Sequence, residues 1–171
     1  MSYAGRRYFF VSILVITCAI GLLCSSCCVV KVSAEVGAQA PDFSLPTIDG
    51  DTITLSDLRG KPVVLTFWYT GCGWCKYQMP FFQTAYEEMG QEIKIIAIDI
   101  GESNSLIQQF AESNGYTFTF ALDYDGSVMY AYNVEGTPNT FLIDASGVIR
   151  EIKRGAYYPD GSELMQALED L

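Results

Sequence analysis

The chain has 171 residues, with 10 basic side chains, 20 acidic ones and no histidine, for a formal charge of −10; that length holds one domain of ordinary size. Without an imidazole, a Ser-His-Asp triad, a Cys-His pair and histidine metal ligands are all excluded. Residues 1 to 34 carry Arg6, Arg7 and Lys31 and no acid, so the remainder holds 7 basic and 20 acidic residues, a balance of −13; such a surface repels phosphate backbones and argues against a nucleic-acid partner.

The first element is apolar. Tyr8 to Val30 is a run of 23 uncharged residues bracketed by Arg6-Arg7 and Lys31, longer than the roughly 20 residues that span a bilayer core and than the apolar part of a typical secretory signal. The expectation is a retained membrane anchor over 1–34, arginines inside, with residues 35–171 forming an extracytoplasmic domain. Two processing readings remain beside it: Val32-Ser33-Ala34 resembles a cleavage site, and Leu23-Cys24-Ser25-Ser26-Cys27 resembles a lipoprotein box. All three export the domain. Cys18, Cys24, Cys27 and Cys28 fall in this segment as small apolar residues, one of them open to acylation, which leaves Cys72 and Cys75 to the domain.

Along the domain, Phe43-Ser44-Leu45 and Thr52-Ile53-Thr54-Leu55 flank Asp49-Gly50 and predict a hairpin, followed by a helical turn at Ser56-Asp57-Leu58. Val63 to Tyr69 is a near-continuous apolar run, the pattern of a strand buried on both faces. The spacing predicts a helix from about Cys72 to Met89, then strand Ile93 to Ile100, helix Ser103 to Ser113, strand Phe118 to Leu122 and a short helix Ser127 to Tyr132. Strands Asn139 to Ile143 and Val148 to Lys153, joined by Asp144-Ala145-Ser146-Gly147, and an amphipathic helix Ser162 to Leu171 complete an α/β fold with a mixed central sheet covered on both faces.

Cys72-Gly73-Trp74-Cys75 stands at the predicted strand-to-helix junction, where free amide groups and the helix dipole favour negative charge and lower a thiol pKa. Because the thiolate attacks in disulfide exchange, Cys72, expected to be the more exposed, is the candidate nucleophile and Cys75, one turn into the helix, the resolving thiol. Lys76 can add positive field or simply be solvated. Half of a zinc site needs further ligands, and the domain has neither histidine nor a second cysteine pair, so no metal is expected. A purely structural disulfide across two residues constrains the unfolded chain little. Redox chemistry is the reading that remains, with the Cys72–Cys75 disulfide as the only redox group and no cofactor. Further along, Gly136-Thr137-Pro138 precedes a strand; read alone it is a turn, in which proline donates nothing to the ladder.

Ala40-Pro41-Asp42-Phe43, Leu55-Ser56-Asp57-Leu58-Arg59-Gly60-Lys61, Phe67-Trp68 leading into Cys72-Gly73-Trp74-Cys75, Pro80, and Gly136-Thr137-Pro138 with Thr140-Phe141-Leu142-Ile143-Asp144 together resemble the TlpA/ResA-like branch of the thioredoxin superfamily, membrane-anchored thiol–disulfide oxidoreductases. The resemblance spans nearly all of 38–171. It implies a thioredoxin-like fold with an N-terminal hairpin and a central insertion around Ser103 to Tyr132, catalysis by Cys72 and Cys75, and a substrate chain held by Thr137 and a cis-proline at Pro138. It also implies exported disulfide-bearing proteins as substrates, apocytochrome c among them, and electrons from a membrane donor of the disulfide-relay type, with the protein a monomer.

The pattern departs from that branch at three places. Gln78 stands where ResA-type members have a glutamate, and Thr66 where thioredoxin has a buried aspartate, so proton exchange with the resolving thiol falls to solvent or another acid, with Glu102 and Glu135 as candidates. Trp74 lies between the cysteines, with Gly71 rather than tryptophan ahead of them; its indole can contact a peptide or shield Cys75. The competing functions are net oxidant or isomerase by the same chemistry, a peroxidase suggested by the Ala-Pro-Asp-Phe opening but lacking the Pro-x-x-x-Thr-x-x-Cys setting, and a thioredoxin-like binding module, which would not need both thiols.

Overall fold

A computed structural model describes residues 34–171; the apolar segment Tyr8 to Val30, expected to be a membrane anchor, lies outside the described residues. Among the described residues no helix is long and apolar enough to cross a membrane. The elements in order are β1 (Ser44–Pro46), β2 (Thr52–Thr54), a 3-10 turn (Leu55–Leu58), β3 (Val63–Trp68), α1 (Gly73–Met89), a second 3-10 turn (Gly90–Glu92), β4 (Lys94–Ile100), α2 (Asn104–Asn114), β5 (Thr119–Asp123), α3 (Ser127–Ala131), β6 (Asn139–Ile143), β7 (Ile149–Arg154) and α4 (Ser162–Glu169). Apart from the second 3-10 turn, which the sequence reading did not anticipate, each lies within a residue or two of its expected place. Tyr69 falls outside β3, Ser103 caps α2 through a bond from Leu106 N instead of opening it, and α4 stops two residues before the end of the chain.

The main sheet has the order β5-β4-β3-β6-β7, with β3, β4 and β5 parallel and β6 and β7 antiparallel to their neighbours. Its central strand β3 is buried along its whole length, which is why its sequence shows no polar alternation. Within it Val64 and Trp68 point into one core with Met79 and Phe82 of α1, Ile107 of α2 and Leu164 of α4, while Val63, Leu65 and Phe67 point into a second core with Leu55, Val128 and Tyr132. The β1–β2 hairpin forms a separate two-stranded sheet joined to β5 by a bridge at Thr47–Ala121. The segment expected as an insertion thus supplies the edge strand β5, parallel to β4 and connected to it by α2, as a crossover requires.

α1 starts where it does because Cys72 acts as its cap, the Sγ atom accepting from Cys75 N at 3.1 Å. It ends at Gly90, whose positive φ of 56° turns the chain out of the helix at little steric cost. The parallel β3 and the start of α1 consequently meet at the carboxyl edge of the sheet, the place where α/β folds present their reactive groups.

Candidate active site

At that edge Cys72 and Cys75 form a disulfide, with S–S 1.99 Å and Cα–Cα 5.2 Å. Cys75 is fully buried and Cys72 is 7% exposed; in this oxidised form the order of exposure is the one expected, although both residues are buried. The amide of Cys75 points at Cys72 Sγ, and Lys76 N bonds Cys72 O at 3.1 Å. A charge on that sulfur would therefore meet a helix N-terminus and an amide donor, the arrangement that favours a thiolate over a thiol. Lys76 itself is exposed and makes no ion pair among the described residues.

Facing the pair, the Thr137–Pro138 peptide is cis. Pro138 is buried and its carbonyl accepts from Gly155 N at 2.9 Å, whereas the Thr137 amide and carbonyl enter no hydrogen bond among the described residues. Thr137 borders three adjoining cavities of about 330, 360 and 380 Å³. The first is walled by Trp74, whose indole is 59% exposed, so the sequence-distant thiol motif and cis-proline loop share one cleft. The indole faces that cleft and does not lie folded away over the sheet. Glu135 is exposed at the far side of the cleft, lining the second and third cavities.

Beneath Cys75 the polar network is neutral. Buried Gln78 donates from Nε2 to Thr66 Oγ1 and accepts from Tyr157 N, both at 3.3 Å, and Thr66 Oγ1 shares a 3.0 Å bond with Thr140 Oγ1. Gln78 and Thr66, two of the departures noted in the sequence, are therefore partners in one network that ties α1, β3, β6 and the loop after β7 together without an ionisable group. Buried polar atoms satisfied in this way rigidify a site.

The carboxylates lie on the other side. Glu102 places one oxygen 2.6 Å from Thr70 N and the other 2.6 Å from Thr70 Oγ1, which clamps the segment two residues before Cys72 and holds its carboxyl below the usual range despite partial burial. Asp99 at the end of β4 accepts from Glu102 N at 2.8 Å, yet its second oxygen is buried without a partner, as is the indole nitrogen of Trp68, its register partner on β3. Burial, reinforced by the neighbouring Glu102 carboxylate, pushes Asp99 up to about 7. Sequence reasoning singled out Glu102 and missed Asp99; an acid inside the otherwise apolar Lys94–Ile100 strand was the available signal. Both carboxylates buttress the loop that delivers Cys72.

Comparison with known proteins agrees with the chemistry of this cleft. The profile of the AhpC/TSA family matches residues 36–152. The thiol–disulfide oxidoreductase ResA of Geobacillus kaustophilus is 40% identical over 126 residues, covering 73% of this chain and 72% of the relative, and ResA of Bacillus subtilis is 37% identical over 154 residues, covering 88% and 86%. A crystal structure from Chlorobium tepidum, described as a thiol:disulfide interchange protein DsbE, superposes with a TM-score of 0.74 at 29% identity, over 80% of this chain and 96% of that one. The mixed sheet, the flanking helices and the disulfide at the start of α1 all agree with these relatives, and the chain belongs to the AhpC/TSA family as a ResA-like thiol–disulfide oxidoreductase with a thioredoxin-like fold.

Proposed function

We propose that the protein reduces disulfides in exported proteins through Cys72 and Cys75, from a position tethered to the outer face of a membrane by its N-terminal segment. The observation that carries this reading is the Cys72–Cys75 disulfide set at the N-terminus of α1, in one cleft with the cis Thr137–Pro138 loop. In the reduced protein the Cys72 thiolate attacks one sulfur of a client disulfide; that bond breaks, the departing client thiolate takes a proton from solvent, and a mixed disulfide joins client to Cys72. The Cys75 thiolate then attacks Cys72 Sγ, releasing the second client thiol and closing the 72–75 disulfide, so two electrons pass from the protein to the client. A membrane dithiol donor returns them.

In this scheme Thr137 offers its free amide and carbonyl to an extended client segment, Pro138 sets the loop, and Trp74 contacts the client. The neutral Gln78–Thr66 network leaves removal of the Cys75 thiol proton to solvent entering by the cleft. The tight Thr70 clamp holds Glu102 as a positioning residue, while Glu135 is open to water. The reducing direction, and a client such as an apocytochrome c with its paired cysteines oxidised, are what the resemblance to the TlpA/ResA-like branch implies; the relatives are named as thiol–disulfide oxidoreductases.

The full-length chain in detergent micelles tests this directly. Turnover of a peptide disulfide with a dithiol donor should vanish in Cys72→Ser, and Cys75→Ser should accumulate a covalent client adduct. A reduction potential near the thioredoxin value of about −270 mV supports a reductant, and one near the DsbA value of about −120 mV would reverse the direction.

A further inference from the structure

Three aromatic side chains stand exposed beside the dithiol. Trp74 is 59% and Tyr158 65% exposed, and Tyr77 lies between them. Their rings meet edge to face or tilted, at 5.6 Å for Trp74–Tyr77, 6.2 Å for Trp74–Tyr158 and 6.1 Å for Tyr77–Tyr158. The cluster is built in place and is not a loose collection. Tyr77 donates its hydroxyl to Pro159 O, fastening the loop after β7 to α1, and Phe81 packs against Tyr77 and fills the space beside Gly161. Large aromatic groups left in water at a cost in free energy, and held rigid there, mark a surface made to be covered.

Trp74 and Tyr158 of the ring cluster form one wall of the cavity of about 330 Å³ whose other walls are Thr137, Pro138, Gly155 and Ala156. None of these residues is charged. The volume is at the small end of ligand pockets, which run from roughly 300 to 1,000 Å³, and the cavity is continuous with the unpaired Thr137 peptide group. An extended chain that pairs with Thr137 while one of its cysteines sits over Cys72 carries its next side chain of the same orientation two residues away, since alternate residues of a strand face the same side.

We infer that the cavity between Trp74, Tyr158 and the cis-proline loop is a specificity subsite for a large apolar side chain two residues from the attacked cysteine of the client. The inference rests on the dithiol reading above and adds the class of sequence the cleft selects. Aromatic or long aliphatic side chains are favoured by desolvation against the two rings that line the cavity. An acidic side chain is disfavoured twice, by the apolar walls and by the balance of −13 over the domain. Trp74, which lies between Cys72 and Cys75 in the chain, and Thr137, whose backbone is unpaired among the described residues, both border the cavity, which assigns the surface to the client.

The test uses reduced full-length protein in detergent micelles and peptides whose single cysteine is a mixed disulfide with a nitrobenzoate thiol, in the frames Cys-Gly-X and X-Gly-Cys. The released chromophore reports the attack rate. X = Phe or Leu should react about tenfold faster than X = Gly in one of the frames, equivalent to about 1.4 kcal/mol, with X = Glu slowest. The Phe/Gly ratio is internal to each protein, so a general loss of activity cancels. It should fall to within twofold in Tyr158→Ala and in Ala156→Leu, which fills the cavity, and persist in Tyr158→Phe, because no hydrogen bond among the described residues uses that hydroxyl. A wild-type ratio near one while all peptides still react overturns the subsite and leaves the dithiol reading standing. Failure to react with any disulfide, free nitrobenzoate disulfide included, overturns both. A ratio unchanged by Tyr158→Ala, with re-reduction by a membrane donor slowed instead, overturns the subsite by assigning the surface to the electron donor.

Discussion

Asp99→Asn should flatten the pH dependence of stability. In the folded protein this carboxyl is buried at the end of β4 with one oxygen unpartnered and the Glu102 carboxylate beside it, and it titrates at about 7 where an ordinary aspartate titrates at 3.8. Raised pKa in the folded state means that below about 4 both states carry the proton and no penalty exists. As pH rises from 4 to 7 the unfolded chain releases its proton while the folded one keeps it, so stability falls, by up to about 1.4 kcal/mol per pH unit. Between pH 5 and pH 8 the two pKa values give a loss of about 2.5 kcal/mol attributable to this one group. Asparagine keeps an acceptor for Glu102 N without a charge to release, so its stability relative to wild type should climb by about that amount over the interval. Urea unfolding of the oxidised proteins at pH 5, 6, 7 and 8 gives the two curves. If their difference stays constant within about 0.5 kcal/mol, Asp99 is ionised throughout and its burial carries no electrostatic cost.

Glu102→Ala removes two charge-assisted bonds to Thr70 on a partly exposed side chain, and should cost about 1–3 kcal/mol by urea unfolding at pH 7 while increasing amide exchange across the segment before Cys72. Gln78→Leu leaves the buried Tyr157 amide and Thr66 hydroxyl without their partner; a loss of about 1–3 kcal/mol is expected in a thermal melt, with the attack rate of Cys72 on nitrobenzoate disulfide changed less than twofold. Gly161→Ala places a β-carbon 2.6 Å from Phe81 at a φ of +75°, and should destabilise by about 1–3 kcal/mol and shift the near-ultraviolet circular dichroism of the Trp74–Tyr77–Tyr158 cluster.

The elements that the sequence located well are those where a local pattern has one physical outcome. Val63–Trp68 is apolar on both faces because both faces are covered; Cys72 precedes a helix because its sulfur satisfies a first-turn amide; Asp144-Ala145-Ser146-Gly147 turns because the Asp144 carboxylate accepts from the Ser146 and Val148 amides. Asp99 shows the limit of such reading. Along the chain it is one of 20 acids in an acidic protein, set apart only by the apolar run Ile95 to Ile98 before it; the parallel pairing of β4 between β3 and β5 is what buries it opposite Trp68. Tyr158 was invisible for the same reason, since its partners Trp74 and Tyr77 lie in the first turns of α1, on the far side of the sheet topology.

The order of strands and helices, the position of the thiol pair at a strand-to-helix junction and the absence of any imidazole chemistry follow from the sequence alone, because each depends on residue type and on neighbours within a turn or two. Tertiary structure decided which groups surround the sulfurs: the neutral Gln78–Thr66–Tyr157 network beneath them, the Asp99–Glu102 buttress beside them and the Trp74–Tyr158 wall of the cleft. Those contacts join residues from α1, β3, β4 and the loop after β7, and they exist only when the sheet has assembled, since burial and pairing between distant segments are properties of the packed chain.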